Sequence, residues 1–173
     1  MPSIHVTVAV VIERRKSRSP WIDFVWAPVA VLPDIPDAAP WTSLGGDEAA
    51  ERFYAGPAEM ALHTTETANY RDNLATGAPR IWVVLRPRDI APALEVLCVT
   101  PDPAEGEAFT ETGTELVGSV PMPDSIAELV AAFVAEHHVE RSFHKRRRDR
   151  ADPEALAARG SRRDPGSGDD DAG

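Results

Sequence analysis

A chain of 173 residues with 43% hydrophobic content is long enough for one domain with a real core plus a tail. Its single cysteine, Cys98, excludes an internal disulfide and any cysteine-based zinc cage. A net charge of −10 argues against a nucleic-acid binder, because neutralising phosphate takes a basic face.

Sixteen prolines break the chain into short elements, which favours strands and turns over a helical bundle. Ile4, Val6, Val8, Val10 and Ile12 alternate with His5, Thr7, Ala9 and Val11, the period of two of a strand with one apolar face. Trp21–Leu32 reads as a second strand, with Ile22, Phe24 and Trp26 on its more apolar face and Asp23 opposite. The basic turn Arg14–Pro20 should join the two as a hairpin. Pro33–Gly46, rich in Pro, Asp and Ala, reads as loop. Glu51–Ala55 and Glu59–Thr64 read as short strands joined at Gly56-Pro57. A helical turn or two is expected over Glu66–Leu74. Arg80–Arg86 reads as a buried strand, apolar on both faces, and Glu95–Thr100 as another, close enough for a hairpin. Asp102-Pro103 opens a short helix to Phe109, with Pro where its missing N–H costs nothing. Glu115–Val120 reads as a last strand. Ser125-Ile126-Ala127-Glu128 has the form of a capping box. Ile126, Leu129, Val130, Phe133 and Val134 then follow helical spacing to His138.

These elements predict an α+β domain over residues 1–140. Its core would be a mainly antiparallel, twisted sheet of about six strands carrying a C-terminal amphipathic helix. A basic segment, 141–150, follows, and then a charged tail, 151–173, whose composition predicts disorder. Residues 1–138 hold 9 Lys+Arg against 20 Asp+Glu, and residues 139–173 hold 9 against 8. No positively charged region precedes Val6–Ile12, and no run reaches the ~18–20 apolar residues that span a bilayer. A cytoplasmic protein without a membrane span is expected.

The candidate binding residues are Trp21, Trp26, Lys145, Arg146, Arg147 and Arg148. In a regular strand the odd spacing of Trp21 and Trp26 sends their rings to opposite faces. One should be core; Trp21, beside Asp23, is the one expected to be exposed. Either a loop or the terminal helix covers both rings, or Trp21 anchors a partner, since Trp is enriched at interface hot spots. The Arg141–Arg150 stretch has Phe143 as its only aromatic, so it offers no stacking platform for bases. It reads as a solvated extension or a protein contact before it reads as a site for RNA. His137, Glu140 and His144 would share a face if the last helix continued. Neighbouring arginines oppose a cation there, and a metal is not expected. Cys98, inside Val96–Val99, reads as a packing residue whose thiol burial keeps protonated. The carboxylates are many, and their spacing singles out no acid–base pair. No nucleophile elbow, phosphate loop or helical zinc motif occurs, so neither catalysis nor a bound cofactor is expected.

Several segments together resemble a bacterial family defined by a domain of unknown function. They are Val10–Arg15, Trp21–Pro33, Asn73-Leu74, Ile81–Arg86, Val120-Pro121-Met122-Pro123 and Lys145–Arg148. Members are often encoded beside molybdenum-dependent formate dehydrogenases and their maturation chaperones. Some are labelled molybdopterin-guanine dinucleotide biosynthesis protein A. The resemblance implies a non-catalytic accessory or assembly role for such an enzyme, with one of its subunits or its chaperone as partner. The alternative it implies is guanylyl transfer onto molybdopterin. That needs a Gly-Gly-x-Ser-x-Arg-Met-Gly loop after the first strand, where this chain reads Glu13-Arg14-Arg15-Lys16-Ser17-Arg18-Ser19-Pro20. Without glycines the backbone cannot wrap a phosphate. A third reading is an RNA-binding regulator acting through the basic segment.

Overall fold

The structure, a computed structural model, describes residues 3–139. In chain order these form β1 (Ser3–Lys16), β2 (Phe24–Leu32), β3 (Thr42–Gly46), β4 (Ala50–His63), α1 (Thr67–Ala75), β5 (Arg80–Pro87) and β6 (Leu94–Thr100). Then come α2 (Pro103–Ala108), β7 (Leu116–Pro121) and α3 (Asp124–His137). The α+β class is as expected, and every strand pair is antiparallel.

The strands divide into two sheets, with orders β2-β1-β4-β3 and β6-β5-β7. β2 lies against β7 and β4 against β6, so the sheets close on a shared interior. The alternation of β1 sends Val8, Val10 and Ile12 inward, where they meet Val31, Met60, Leu62, Ile81, Val83 and Leu85. Each such side chain contributes about 1.5–3 kcal/mol when fully buried. Tyr70 of α1 and Ile126, Val130, Phe133 and Val134 of α3 join the same core. The apolar stripe of α3 therefore packs as its spacing predicts.

Four local expectations are corrected. Glu51–Ala55 and Glu59–Thr64 are one strand, because Gly56-Pro57 makes a bulge instead of a turn. Gly56 takes φ 117°, and the register slips by one residue opposite Val10/Val11. β3 pairs only with Glu51–Tyr54, so Pro57 lies where β4 has no ladder on its other side and its missing N–H is tolerated. Thr42–Gly46 is a strand and not a loop, held by its pairing with β4. β2 starts at Phe24, which leaves Trp21 in the turn before it. The capping box does not form. Pro123 occupies the N-cap, and Ser125 already lies inside the first turn of α3. Its hydroxyl therefore has no capping position, and the Pro123 carbonyl accepts the Ala127 N–H instead (2.9 Å).

Two further contacts fix the frame. Asn73 of α1, 3% exposed, donates to the carbonyls of Arg80 (2.7 Å) and Pro101 (2.9 Å). It also accepts the Arg80 N–H (3.0 Å), tying α1 to β5 and to the end of β6. Asp102 caps α2 by accepting the Ala104 N–H (2.9 Å). α2 covers the outer face of β5 at Gly106, where any side chain would collide with Trp82. That helix explains why β5 is apolar on both faces. Among the described residues no helix is long and apolar enough to cross a membrane.

Candidate functional site

The C-terminal half of β1 pairs with β2 on one side and β4 on the other, and β3 adds to β4 at the same level. The result is a four-stranded arm ending in the β1–β2 turn. The register runs to Lys16 opposite Phe24. Beyond it the Ser17 N–H donates to the Asp23 carbonyl (3.1 Å). Inside the turn the Ser17 hydroxyl accepts the Ser19 N–H (3.0 Å), and the Ser19 hydroxyl accepts the Trp21 N–H (3.3 Å). The turn is thus locally bonded, yet it presents its apolar residues outward. Trp21 is 91% exposed, Ile22 56% and Val25 51%. Phe24 is exposed as well.

The inner face of the arm is built differently. Arg14 continues the inward alternation of β1 past Ile12 and meets rings instead of aliphatics. Its guanidinium lies 4.6 Å from the Phe24 ring centre, 5.3 Å from Phe53 and 5.8 Å from Trp26. Its Nη2 donates to Glu51 (2.9 Å), whose other oxygen accepts the Ser43 hydroxyl (2.7 Å). Such cation–ring contacts are worth about 0.5–2 kcal/mol each, more as water is excluded. Trp26 packs edge-on against Trp41 at 6.1 Å and tilted against Phe53 at 5.9 Å. Trp41 holds φ 70°, a left-handed conformation that a bulky residue adopts only under strain. Its N–H is held by the Tyr54 carbonyl. A hollow of about 510 Å³ opens beside this cluster, lined by Arg14, Phe24, Gly46, Asp47, Glu48 and Glu51. On the opposite face Glu13 accepts from Arg15 (2.7 Å) and Arg52 (3.3 Å). The Arg15 hydrogen bond leads in holding its carboxyl below the ordinary value, against the opposing effect of burial and with help from Arg52.

The sequence candidates separate here. Trp21 is exposed at the turn, and Trp26 is half-buried in the aromatic cluster. The two are not alternate faces of one strand, because Trp21 precedes β2. Lys145, Arg146, Arg147 and Arg148, the rest of segment 141–150 and the tail 151–173 lie outside the described residues, as do Glu140 and His144. His137 packs tilted against Phe133, ring centres 4.7 Å apart. His138 contacts Thr67 and Arg71 at 3.0 Å each. Among the described residues no three His, Cys, Asp or Glu side chains are grouped to hold a metal. Cys98 is only half-buried, more open than its apolar neighbours suggest. Burial, with Glu105 3.8 Å away, still pushes its thiol up to about 12, so it stays protonated and unreactive at neutral pH. Phe53 and Trp41 escaped the sequence reading. The only available signal was the break in β1 alternation at Arg14, a charge on a face that is otherwise apolar.

The family model described as "Protein of unknown function (DUF3305)" matches residues 7–147, from within β1 to beyond α3. No curated protein and no solved structure matches the chain.

Proposed function

Taking as premise that the chain belongs to this family of unknown function, we propose that it is a non-catalytic accessory protein that docks a protein partner through the β1–β2 turn. The observation that carries this reading is Trp21, 91% exposed and flanked by exposed Ile22, Phe24 and Val25. Folding gains nothing from leaving such a residue in water. Buried Trp side chains dominate the energetics of interfaces. The sequence resemblance makes a subunit of a molybdenum-dependent enzyme such as formate dehydrogenase, or its maturation chaperone, the first partner to seek.

The test is affinity purification of the tagged full-length chain from its own cells, beside a Trp21→Ala version, with mass spectrometry of what is retained. The expected result is recovery of such a subunit or chaperone, reduced roughly tenfold or more by the substitution, as for a hot-spot Trp. Retention of nothing specific, or equal retention by both versions, would remove the reading.

A further inference from the structure

Two backbone bonds fix which amides of the arm are already used. The Lys16 N–H donates to the Ala49 carbonyl (2.8 Å), on the β4 side, and the Ser17 N–H donates to the Asp23 carbonyl (3.1 Å), on the β2 side. Successive residues of an antiparallel strand direct their N–H groups to opposite sides. Arg15 therefore faces β2, and its partner Val25 is in the ladder. Phe24 and Trp26, one residue to either side of Val25, direct their N–H and C=O groups away from β1. Among the described residues β2 is an edge of its sheet, so there these groups line an open edge.

That edge has a defined end. The next outward position is Pro28, which has no N–H to offer. β7 also closes on it there, and a Cβ on Gly118 would lie 2.7 Å from the Pro28 ring. The open stretch is therefore Phe24–Trp26, about 10 Å of strand. Natural edges are blunted by charge, proline or bulges. The nine residues of β2 carry no charge. Its bulge, between Val11 and Ile12 of the partner strand, falls together with Pro28 in the middle and leaves the outer stretch unprotected.

Charge says what fits. Residues 14–25 hold four Lys+Arg and one Asp, whereas the rest of residues 1–138 hold five Lys+Arg and nineteen Asp+Glu. A second copy laid along the same edge would bring two basic turns together. A strand flanked by carboxylates would be drawn in. Resting on the docking reading above, we propose that the partner contributes an extended, carboxylate-flanked segment that adds as a strand along Phe24–Trp26. Main-chain bonds would supply affinity, and Phe24 on one face and Val25 on the other would select apolar side chains.

The experiment selects from a phage-displayed library of 16-residue peptides tiled across the proteins of the same cell, using the full-length chain as bait. Selected peptides are then titrated against Phe24→Ala and Phe24→Pro. Both variants remove the ring, but only proline also removes the outward N–H. The expected peptides carry an alternating apolar run flanked by Asp or Glu. Their affinity should fall at least tenfold further for Phe24→Pro than for Phe24→Ala, and amide exchange at Phe24 should slow at least tenfold in the complex. Equal affinity of the two variants, or an unchanged Phe24 amide, overturns strand addition. If Trp21→Ala still weakens those peptides, side-chain docking at the turn survives and only the strand is lost. Protection of Phe24 that grows with protein concentration alone makes the occupant a second copy and overturns the proposal. So does a selection that enriches no peptide.

Discussion

The pair Trp21→Ala and Trp26→Ala separates a tryptophan held out to solvent from one that holds the arm together. Trp26 is half-buried and touches two further rings. Truncating a fully buried Trp costs about 3–5 kcal/mol, so half that burial implies about 2 kcal/mol. Each lost ring pair adds about 0.5–1.5 kcal/mol. The sum is about 3–5 kcal/mol, a large share of the roughly 5–15 kcal/mol that keeps a domain folded. Trp21, 91% exposed, should change stability by no more than about 0.5 kcal/mol. Urea unfolding of the full-length variants, followed by far-ultraviolet circular dichroism, reads both. With a slope of about 2 kcal/mol per molar, Trp26→Ala should lower the midpoint by about 1.5–2.5 M and Trp21→Ala by almost nothing. Trp21→Ala should also remove the long-wavelength part of the emission of the four tryptophans, because it is the exposed one. A midpoint shift of more than about 0.5 M for Trp21→Ala would mean that the turn is packed onto something, and the reasoning that makes it a docking residue would fail.

Asn73→Ala should cost about 3–5 kcal/mol, since it strands the Arg80 N–H and two carbonyls that Asn73 satisfies in a buried site; a shift under about 1 kcal/mol in the same urea assay would show that water reaches them. Glu13→Gln should remove a pH-dependent increment of stability. The folded carboxyl is held below its ordinary value, so the increment is present above the ordinary carboxylate range and is lost as pH falls through the lowered value. The difference between wild type and variant should therefore shrink as pH falls below the ordinary carboxylate value of 4.5, and a constant difference would contradict the Arg15 and Arg52 contacts. Calorimetric titration with GTP and magnesium should give no heat of binding. β1 leads into a hairpin with no glycine in its turn, not onto a helix N-terminus that would cradle phosphates; saturable, magnesium-dependent binding would restore the guanylyltransferase reading.

Period and punctuation made the hairpins β1–β2 and β5–β6, the helix α2 and the stripe of α3 legible, because each is decided by residues close in sequence. What they could not decide was partnership. Thr42–Gly46, Thr-Ser-Leu-Gly-Gly, has the chemistry of a loop and becomes a strand only because Glu51–Tyr54 stands beside it. Gly56-Pro57 reads equally as a turn or a bulge. The choice falls to β1, whose fourteen residues pair along both sides of the break. The division into two sheets rests on the pairing of Ser3 with His63 and of Arg15 with Ala50, contacts too distant in sequence for any local pattern to encode. At the site, Trp21 was half legible, since Pro20 and Asp23 beside it favour a turn. Arg14, Phe53 and Glu51 meet only through register. Ile12 stands opposite Phe53 and Arg14 opposite Glu51, and neither pair leaves a trace in composition.

The two faces of the arm explain how an exposed turn is held in place without being covered. On the inner face one guanidinium bridges rings from β2 and β4 and an acid on β4 that also holds β3 through Ser43, so all four strands share a strut. On the outer face Glu13 joins β1 to β4 through Arg52. The turn beyond is closed by its own serines. Its backbone therefore has little freedom left to lose on docking, and the ordering cost falls mainly on the Trp21 side chain, which has only two torsions to fix. The charges of Arg14 and Glu51 brace the arm, while Trp21 and Ile22 at its end stay exposed. That division of labour is what the proposed docking role requires of one short hairpin.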